Sequence, residues 1–209
     1  MKAYVINLPE RTDRWETFTS NWKDSGLELV RVDAFKMSNV YHAVFLKHRE
    51  LLQQAKDRGE THLLVMEDDA IPCADFTKRF QHIREYLDNR NDWDVMNGGM
   101  LAIRDCITQV VKIKHPELST LLLNANRGCM AHFLYFKIEN ALKKIEDWET
   151  DGKPEFDAWY SHKLNCYASI PYLAIQMDGV SDATKDERKW EERFRFEQLD
   201  LMYRLREFL

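Results

Sequence analysis

The sequence predicts an α/β protein with a mainly parallel central sheet, and three observations lead to this fold class. Over about the first 90 residues, short apolar runs alternate with segments of helical apolar spacing, in the order β-α-β-α-β-α. This order is typical of parallel strands covered by helices on both faces. One apolar run, residues 62–66, leads directly into three carboxylates. The hydrophobic content of 44% is sufficient to fill a sizeable core.

Length, charge and cysteine spacing limit the class of protein. The 209 residues fit one large domain, and the net charge of −5 argues against a nucleic-acid binder, which needs a basic face. There is no apolar run of 18 residues and no signal peptide, so we expect no transmembrane segment and a cytoplasmic protein, or the soluble part of a larger one. We expect reduced thiols at the four widely spaced cysteines, Cys73, Cys106, Cys129 and Cys166.

The first half is expected to contain four strands and three helices. Strands are indicated by apolar runs that stop at turn residues, and helices by an N-cap residue followed by a 3.6-residue apolar period. The strands cover residues 3–8, 28–32, 62–66 and 92–97, and the helices are capped by Thr12, Ser38 and Asp75. His48 lies on or near the apolar stripe of the second helix, which favours a core or boundary histidine over a ligand.

Beyond residue 100 the pattern changes to a mixed arrangement. We expect an edge strand over Ile107–Ile113, a polar connection over 118–128 and a long strand over 129–136. An amphipathic helix over 138–148, a short strand over 168–175, a mobile loop over 178–185 and a long helix over 186–209 complete the chain. The last helix either straps the domain or leads into further domains, and its abrupt apolar end leaves both open.

Two charged groups are candidates for ligand binding. Glu67, Asp68 and Asp69 would repel one another at a strand end, unless a divalent cation neutralises them at the sheet edge where open α/β sheets bind ligands. The alternative is a solvated acidic turn. Arg11 and Arg14 lie at the mouth of the first βα connection, where a helix N-terminus favours a phosphate. The alternative there is a pair of solvated arginines bound to neighbouring acids.

The order of the motifs resembles glycosyltransferase family 25, the lipopolysaccharide and collagen glycosyltransferase type. Residues 5–14 resemble the opening of that family, 32–34 its Asp-Ala segment and 64–69 its Glu-Asp-Asp motif. Residues 93–95, and then Pro171, Gln176, Ser181 and Asp182, follow in the same order, so the resemblance spans about residues 4–183. The Gly-Cys-x-x-Ser-His element of the family is reduced here to residues 38–42. The compact length is also similar to sugar-transferase domains of large algal DNA viruses.

The resemblance implies a GT-A fold in a single domain. Residues 1–100 would form a Rossmann-like half that binds the nucleotide sugar, 101–185 a mixed half that binds the acceptor, and 186–209 a C-terminal helix. The implied activity is transfer of a sugar from a nucleotide-diphosphate donor, a UDP-sugar in common relatives, to a hydroxyl group of a glycan or glycoprotein. The implied cofactor is Mn²⁺ or Mg²⁺, and inversion at the sugar carbon is favoured.

The resemblance also implies roles for individual residues. Asp69 would bind the metal, and Glu67 would contact the ribose or donor sugar and pair with Asp69, since strand alternation places both on one side. Asp68 would lie between them. Arg11 and Arg14 would neutralise the diphosphate. The nucleoside would be bordered by Asn7, Leu8, Asp33 and Ala34, and Asp182 would order a late loop over the donor.

An acceptor hydroxyl group needs a general base when the sugar carbon inverts. Asp157 is the candidate, with Glu155 as the second choice, and the alternative for Asp157 is an N-terminal helix cap. Trp159 and Tyr160 could stack on a sugar or belong to the core. Two other functions stay open: a non-catalytic module of the same fold that binds carbohydrate or nucleotide sugar, and a nucleotidyltransferase. A phosphohydrolase is disfavoured because the sequence shows no Asp-x-Asp nucleophile with a downstream Lys and acid pair, and no second His/Asp metal cluster.

Overall fold

The computed structural model describes residues 1–115, 117–152, 155–180 and 186–209. Its helices are α1 (Thr12–Trp22), α2 (Val40–Asp57), α3 (Phe76–Leu87), α4 (Ile138–Ile145), α5 (Asp147–Thr150), α6 (Phe156–Lys163) and α7 (Trp190–Arg204). Its strands are β1 (Lys2–Asn7), β2 (Glu28–Asp33), β3 (His62–Glu67), β4 (Ala70–Pro72), β5 (Val95–Asn97), β6 (Ile107–Ile113), β7 (Thr120–Ala125), β8 (Phe133–Lys137), β9 (Cys166–Ile170), β10 (Ala174–Gln176), β11 (Gly179–Val180) and β12 (Glu187–Arg188).

The expected α/β class is confirmed by an eight-stranded mixed sheet with the order β2-β1-β3-β8-β5-β9-β7-β6. β1 pairs in parallel with β2 and β3, as expected for the first half. Antiparallel pairing begins with strands after residue 100. For example, β8 lies between β3 and β5 and runs antiparallel to both. Strands from both predicted halves therefore pair within one sheet, and the division at residue 100 stays a prediction.

Alternating side chains of β3 face two different cores. Leu64 and Met66 belong to the cluster on the side of α1 and α3, whereas Leu63 and Val65 belong to the cluster on the side of α2, α4 and α6. This alternation is the period of two that a strand imposes. Glu67, the last residue of β3, continues the series of Leu63 and Val65, so its side of the strand is the side of α2 and α6.

One expected connection is wrong: residues 118–128 are not a polar link. They contain β7, whose Thr120–Ala125 segment is almost entirely buried between β6 and β9. The sequence did not indicate this strand, because a strand buried on both faces shows no alternation of apolar and polar residues. The residues on either side of it are also polar. The edge position of β6 is confirmed. The predicted helix over 186–209 is shorter, since β12 precedes it and α7 ends at Arg204.

All three helices differ from their predicted caps. α1 begins at Thr12 itself, with Arg11 at the N-cap position and no side-chain cap bond. Asn39, rather than Ser38, caps α2, because its side chain accepts a hydrogen bond of 3.0 Å from the backbone N–H of His42. Asp75 precedes α3 in the left-handed region and makes no side-chain cap bond. No helix in the described part of the chain is long and apolar enough to cross a membrane.

Gly98 and Gly99, which follow β5, allow another strand connection to approach closely. A Cβ atom on Gly99 would lie 2.0 Å from the carbonyl oxygen of Ala174, and one on Gly98 would lie 2.5 Å from the ring of Phe133. The carbonyl group of Gly98 also accepts a hydrogen bond of 2.6 Å from the backbone of Leu173. The missing side chains therefore let β10 pass close to the end of β5 and pair with β4.

His48 is fully buried in the core, as its position on the stripe of α2 predicted. Its Nδ1 atom lies 2.9 Å from the Val44 carbonyl oxygen, and its ring packs 4.7 Å from the ring of Phe156. Burial lowers the pKa of His48 from 6.5 to about 4. Between pH 6.5 and pH 4, His48 therefore binds a proton in the unfolded chain but not in the folded one. Its contribution to the free energy of unfolding is complete above pH 6.5 and is lost as the pH falls towards 4.

We expect the substitution His48→Leu to remove part of this acid sensitivity. The free energy of unfolding of the unmodified protein should fall between pH 7 and pH 4.5, and this fall should be smaller by about 2–3 kcal/mol in the variant. Urea unfolding at both pH values measures the difference. His162→Gln, at an exposed position, serves as the control. Equal falls in the unmodified protein and in His48→Leu would contradict the assignment.

Candidate active site

The three acids lie at one wall of a cavity of about 260 Å³ at the carboxyl ends of β1 and β3. We call this cavity the acidic cleft. The acidic cleft thus lies at the carboxyl ends of the strands, the edge at which open α/β sheets bind ligands. The residues that line it include Asn7, Leu8, Arg14, Ala34, Val40, Glu67, Asp68, Asp69, Gln176 and Trp190.

The backbone of the acidic turn is held from three directions. The N–H group of Glu67 donates to the carbonyl oxygen of His132 at 3.1 Å, and the carbonyl oxygen of Asp69 accepts from the N–H group of Met177 at 2.7 Å. The indole N–H of Trp22 in α1 donates to the carbonyl oxygen of Ala70 at 2.8 Å. Neighbouring strands and a helix thus fix the direction of the acids, which a solvated turn would not require.

Asp68 and Asp69 point to different partners and share Arg14. The Asp68 carboxylate accepts from the Asn7 amide at 2.5 Å and from Arg14 Nη1 at 3.1 Å. The Asp69 carboxylate accepts from the Gln176 amide at 2.7 Å and lies 3.7 Å from the same Arg14 Nη1. Both carboxylates and the guanidinium group are largely buried, so these are charge-assisted contacts in a shielded site.

The site carries more negative than positive charge. Burial, and then repulsion from Asp69 and Asp68, raises the pKa of Glu67 well above its usual value. Burial and Asp69 also raise the pKa of Asp68, although hydrogen bonding to Asn7 and the charge of Arg14 oppose this shift. Among the described residues, three carboxyl groups and one guanidinium group line this cleft. A ligand that brings positive charge would therefore relieve the repulsion among them.

The donor atoms of the cleft fit a hard divalent cation only in part. Carboxylate oxygens are ligands that Mg²⁺ and Mn²⁺ prefer. In the described part of the chain, however, no group of three or more His, Cys, Asp or Glu side chains could hold a metal ion. A cation at Asp69 would therefore need oxygen atoms from a bound ligand to complete its shell. The acids fit a cation that arrives together with an oxygen-rich anion.

The other residues expected near the nucleotide divide into two groups. Asn7, Leu8, Arg14 and Ala34 line the acidic cleft, and the backbone N–H of Ala34 donates to the carbonyl oxygen of Asn7 at 2.9 Å. Arg11 and Asp33 do not line it. The guanidinium group of Arg11 binds the carboxylate of Asp13 through two bonds of 3.0 Å, as the solvated alternative predicted, and Asp33 is exposed at the end of β2.

Asp157 lies in the first turn of α6, and its charge contributes to the raised pKa of Glu67. One Asp157 oxygen accepts from the backbone N–H of Met130 at 3.0 Å, and the other accepts from that of Ala158 at 2.8 Å. A carboxylate has about four acceptor positions, so a further hydroxyl group can still bind. Glu155 is exposed and accepts from Tyr41, which raises the pKa of the tyrosine. Asp182 lies outside the described residues.

The aromatic pair after Asp157 belongs to the core. Trp159 is 4% exposed and Tyr160 is fully buried, so neither ring offers a face to a sugar. The Tyr160 hydroxyl group donates to the Met130 carbonyl oxygen at 2.5 Å. Tyr160 and Asp157 therefore both bind the backbone of Met130, and the two buried rings anchor α6 in the core.

Several residues of the cleft were not assigned from the sequence. Gln176 was named from the sequence only as part of the motif order. Its side-chain amide donates to Asp69, which lies 107 positions earlier in the chain. Arg31 donates to the Asn7 side-chain oxygen at 2.8 Å and so orients its amide towards Asp68. Trp190, at the start of α7, forms a wall. No local pattern marks such residues, because their role follows from which strands become neighbours.

A second cavity of about 290 Å³ adjoins the acidic cleft. The two share Ile6, Leu8, Ala34 and Val40 in their walls. The outer part of the second cavity is lined by Phe35, whose ring lies 3.8 Å from the Lys47 ammonium nitrogen. The cavity is mainly apolar with a cation near its aromatic residue, in contrast to the charged cleft beside it. A ligand with a flat apolar part and a charged part would match the two cavities.

Two solved structures are remotely similar to this chain. No profile of a known protein family matches the chain, and no curated protein matches its sequence. The structure of A197 from STIV is 16% identical, with a TM-score of 0.49, over 89% of this chain and 91% of that chain. The structure of a glycosyltransferase involved in the glycosylation of the major capsid of PBCV-1 is 10% identical, with a TM-score of 0.39, over 68% of this chain and 61% of that chain. The chain is thereby assigned to no family, and its resemblance to glycosyltransferase family 25 stays a prediction.

Proposed function

We propose that this chain is a glycosyltransferase of the GT-A type that moves a sugar from a nucleotide diphosphate, with UDP favoured, to a hydroxyl group of a glycan or glycoprotein. The observation that carries the proposal is the buried set of Asp68, Asp69 and Arg14 at the carboxyl ends of parallel strands. A diphosphate with a counter-cation suits a site that has both a guanidinium group and excess carboxylate charge. The motif order supports the same function.

The two adjoining cavities match the two ends of such a donor. We place the nucleobase in the apolar cavity beside the exposed ring of Phe35. The Lys47 ammonium group lies 3.8 Å from this ring and pairs with Glu50 at 2.6 Å. The diphosphate would lie in the acidic cleft next to Arg14, and Glu67 would accept a hydrogen bond from the ribose or the sugar. Asn7 and Leu8, which line the cleft at the end of β1, would border the nucleoside.

Breaking the bond between sugar and diphosphate leaves additional negative charge on the diphosphate. Arg14 can stabilise this charge, because its guanidinium group is already held in place by Asp68 and by the carbonyl oxygen of Val180 at 2.7 Å. Asp69, with Glu67, would hold Mn²⁺ or Mg²⁺ together with the phosphate oxygens. When bound, such a cation supplies electrostatic stabilisation of the leaving group.

The acceptor hydroxyl group must lose a proton as it attacks the sugar carbon. Asp157 is the proposed base for an inverting transfer, since its carboxylate is half-buried at the head of α6, on the side of the sheet to which Glu67 belongs, although it does not line the acidic cleft itself. The two backbone N–H groups that it binds fix its orientation. Glu155 is the second candidate, although its contact with Tyr41 holds it at an exposed position.

A thermal-shift screen of nucleotide sugars, with and without Mn²⁺, tests the proposed function. Ligand at about 100 times its dissociation constant stabilises a protein by about 2.7 kcal/mol, which corresponds to a rise of roughly 5–10 °C for a chain of this size. We expect one nucleotide family to give this rise with Mn²⁺ and a smaller rise without it. Release of free nucleoside diphosphate from the matching sugar donor would then identify an enzyme. The absence of any shift with every nucleotide diphosphate would reject the proposal.

The two arginines of the first βα connection should differ in their effect on donor binding. Arg14→Gln removes a buried charge from the acidic cleft, and we expect the affinity for the nucleoside diphosphate to fall about 10- to 100-fold. Arg11→Gln should weaken binding less, because Arg14 lines the acidic cleft and Arg11 does not. Isothermal titration of both variants measures the difference. A larger loss for Arg11→Gln would transfer the phosphate role to that residue.

A further inference from the structure

We propose that the chain self-associates through one exposed face of α7, as an antiparallel pair of identical helices. The face is defined by Glu192, Phe196, Leu199, Tyr203 and Arg206, which we call the outer stripe. The first four lie in α7 at spacings of four, three and four residues, which are those of one helix face, and Arg206 lies in the turn after Arg204, with its guanidinium group beside the ring of Tyr203. This inference is independent of the proposed enzymatic activity.

The opposite side of α7 is already used in the fold. Phe194 and Leu201 are buried at 0% and 1% exposure. Glu197 binds the backbone N–H of Ala102, and Gln198 accepts a hydrogen bond of 2.6 Å from that of Tyr172. These contacts fix the rotation of α7 about its own axis. The outer stripe is therefore turned towards solvent by a rigidly seated helix.

The apolar part of the outer stripe is unusually exposed for its size. Phe196, Leu199 and Tyr203 are 68%, 65% and 70% exposed. Single exposed apolar residues are common, but three large ones adjacent on one helix face form a patch of the kind that marks an interaction site. Neighbouring charges do not cover the stripe, because Arg195 pairs with Glu191, and Asp200 pairs with both Arg104 and Arg204. The patch is thus available to a partner.

The opposite charges at the two ends of the outer stripe favour a second copy of the chain in antiparallel orientation. Glu192 precedes the three apolar residues and Arg206 follows them. Both are exposed, and no ion pair joins either of them to another residue in the described ranges. In an antiparallel pair with its two-fold axis near Leu199, Phe196 meets Tyr203 of the second copy and Glu192 meets Arg206 of the second copy. The same contact repeats on the other side of the axis, as an isologous interface requires.

Other arrangements are less well matched. A parallel pair would place Glu192 beside Glu192 and Arg206 beside Arg206, which are repulsive contacts. A membrane surface would meet one acidic and one basic end, with no net attraction for an anionic lipid. Arg206 is also held towards the stripe, since its guanidinium group lies 4.7 Å from the Tyr203 ring and donates to the Tyr203 carbonyl oxygen at 2.8 Å. A second copy of the chain is the occupant that satisfies all five positions.

The strength of the pair is limited by the length of α7. Its 15 residues span about 22 Å. This is short for a permanent dimer interface, so we expect a weak dimer that forms at roughly 10–300 µM protein. Sedimentation velocity of the full chain over this range should show a monomer–dimer equilibrium. Leu199→Asp, at an exposed position, should remove the dimer and leave the helical circular dichroism and the melting temperature unchanged.

Charge exchange provides the sharper test. Glu192→Arg and Arg206→Glu should each weaken the dimer about tenfold or more, because each places like charges together at both ends of the stripe. The double variant should return to within about threefold of the unmodified protein. Arg193→Glu, on the flank of α7 outside the stripe, is the matched control and should have no such effect.

Three outcomes would overturn the proposal. The unmodified chain could sediment as a monomer up to 300 µM. The double charge exchange could fail to restore association that both single changes remove, which would exclude the antiparallel register. Finally, the monomer could bind vesicles of phosphatidylcholine with 20% phosphatidylserine and lose this binding in Leu199→Asp, which would assign the stripe to a membrane surface.

Discussion

Asp69→Ala is expected to lower the rate of sugar transfer by at least about 100-fold and to remove the increase in nucleotide affinity that Mn²⁺ produces. The carboxylate of Asp69 lies against Gln176 and Arg14 at the wall of the acidic cleft. Its removal takes away both the oxygen ligand proposed for the cation and one contact that holds Arg14. Losses of 10²- to 10³-fold are typical when a preorganised electrostatic group is removed from an active site.

The same substitution should change stability little. The lost hydrogen bond to Gln176 costs about 1 kcal/mol, whereas removal of one carboxylate relieves the repulsion that raises the pKa values of Glu67 and Asp68. Titration of UDP with and without Mn²⁺, together with a melting curve, separates the two effects. Asp105→Ala removes an exposed carboxylate and is the control. Full Mn²⁺ dependence in Asp69→Ala would contradict the proposed role.

Asp157→Asn is expected to reduce turnover by about 10²- to 10⁴-fold while the affinity for the donor stays within about twofold. The amide is close to the carboxylate in shape but cannot accept the acceptor proton. One of the hydrogen bonds from Met130 and Ala158 would be lost, since the amide nitrogen cannot accept it. We therefore expect a decrease in melting temperature of only about 2–4 °C.

Single-turnover kinetics with saturating donor measure this effect directly. Glu155→Gln, two residues away and exposed, is the control and should retain most of the activity. If Asp157→Asn keeps its turnover, then Asp157 is a structural residue of α6 and the base lies elsewhere. If instead both turnover and donor affinity fall together, the backbone position of Met130 is the feature that Asp157 maintains.

The site residues that could be predicted from the sequence are those that lie at the end of a predicted strand or at the start of a predicted helix. The apolar run of β3 leads directly into the acids, and β1 leads to Asn7 at the same sheet edge, because parallel strands end together. Arg14 follows within the first turn of α1, so its place at this sheet edge was predicted, whereas its pairing with Asp68 was not. These contacts depend on strand direction and on helix starts, which periodicity and cap residues mark in the sequence.

The part that the sequence does not predict depends on which distant segments become neighbours. Gln176 reaches Asp69 only because β10 pairs with β4, and that pairing relies on the close approach at Gly99. β7 was missed because both of its faces are buried, so no alternation distinguishes it from a buried loop segment. Apolar periodicity shows that a residue is buried but does not identify what it packs against.

A crystal of this protein soaked with Mn²⁺ and UDP tests the central claim most directly. We expect anomalous difference density for manganese between the carboxylate of Asp69 and the diphosphate, with Arg14 in contact with the phosphate oxygens and the base beside Phe35. An acidic cleft without manganese or nucleotide at saturating concentrations of both, or a nucleotide bound away from these acids, would contradict the account.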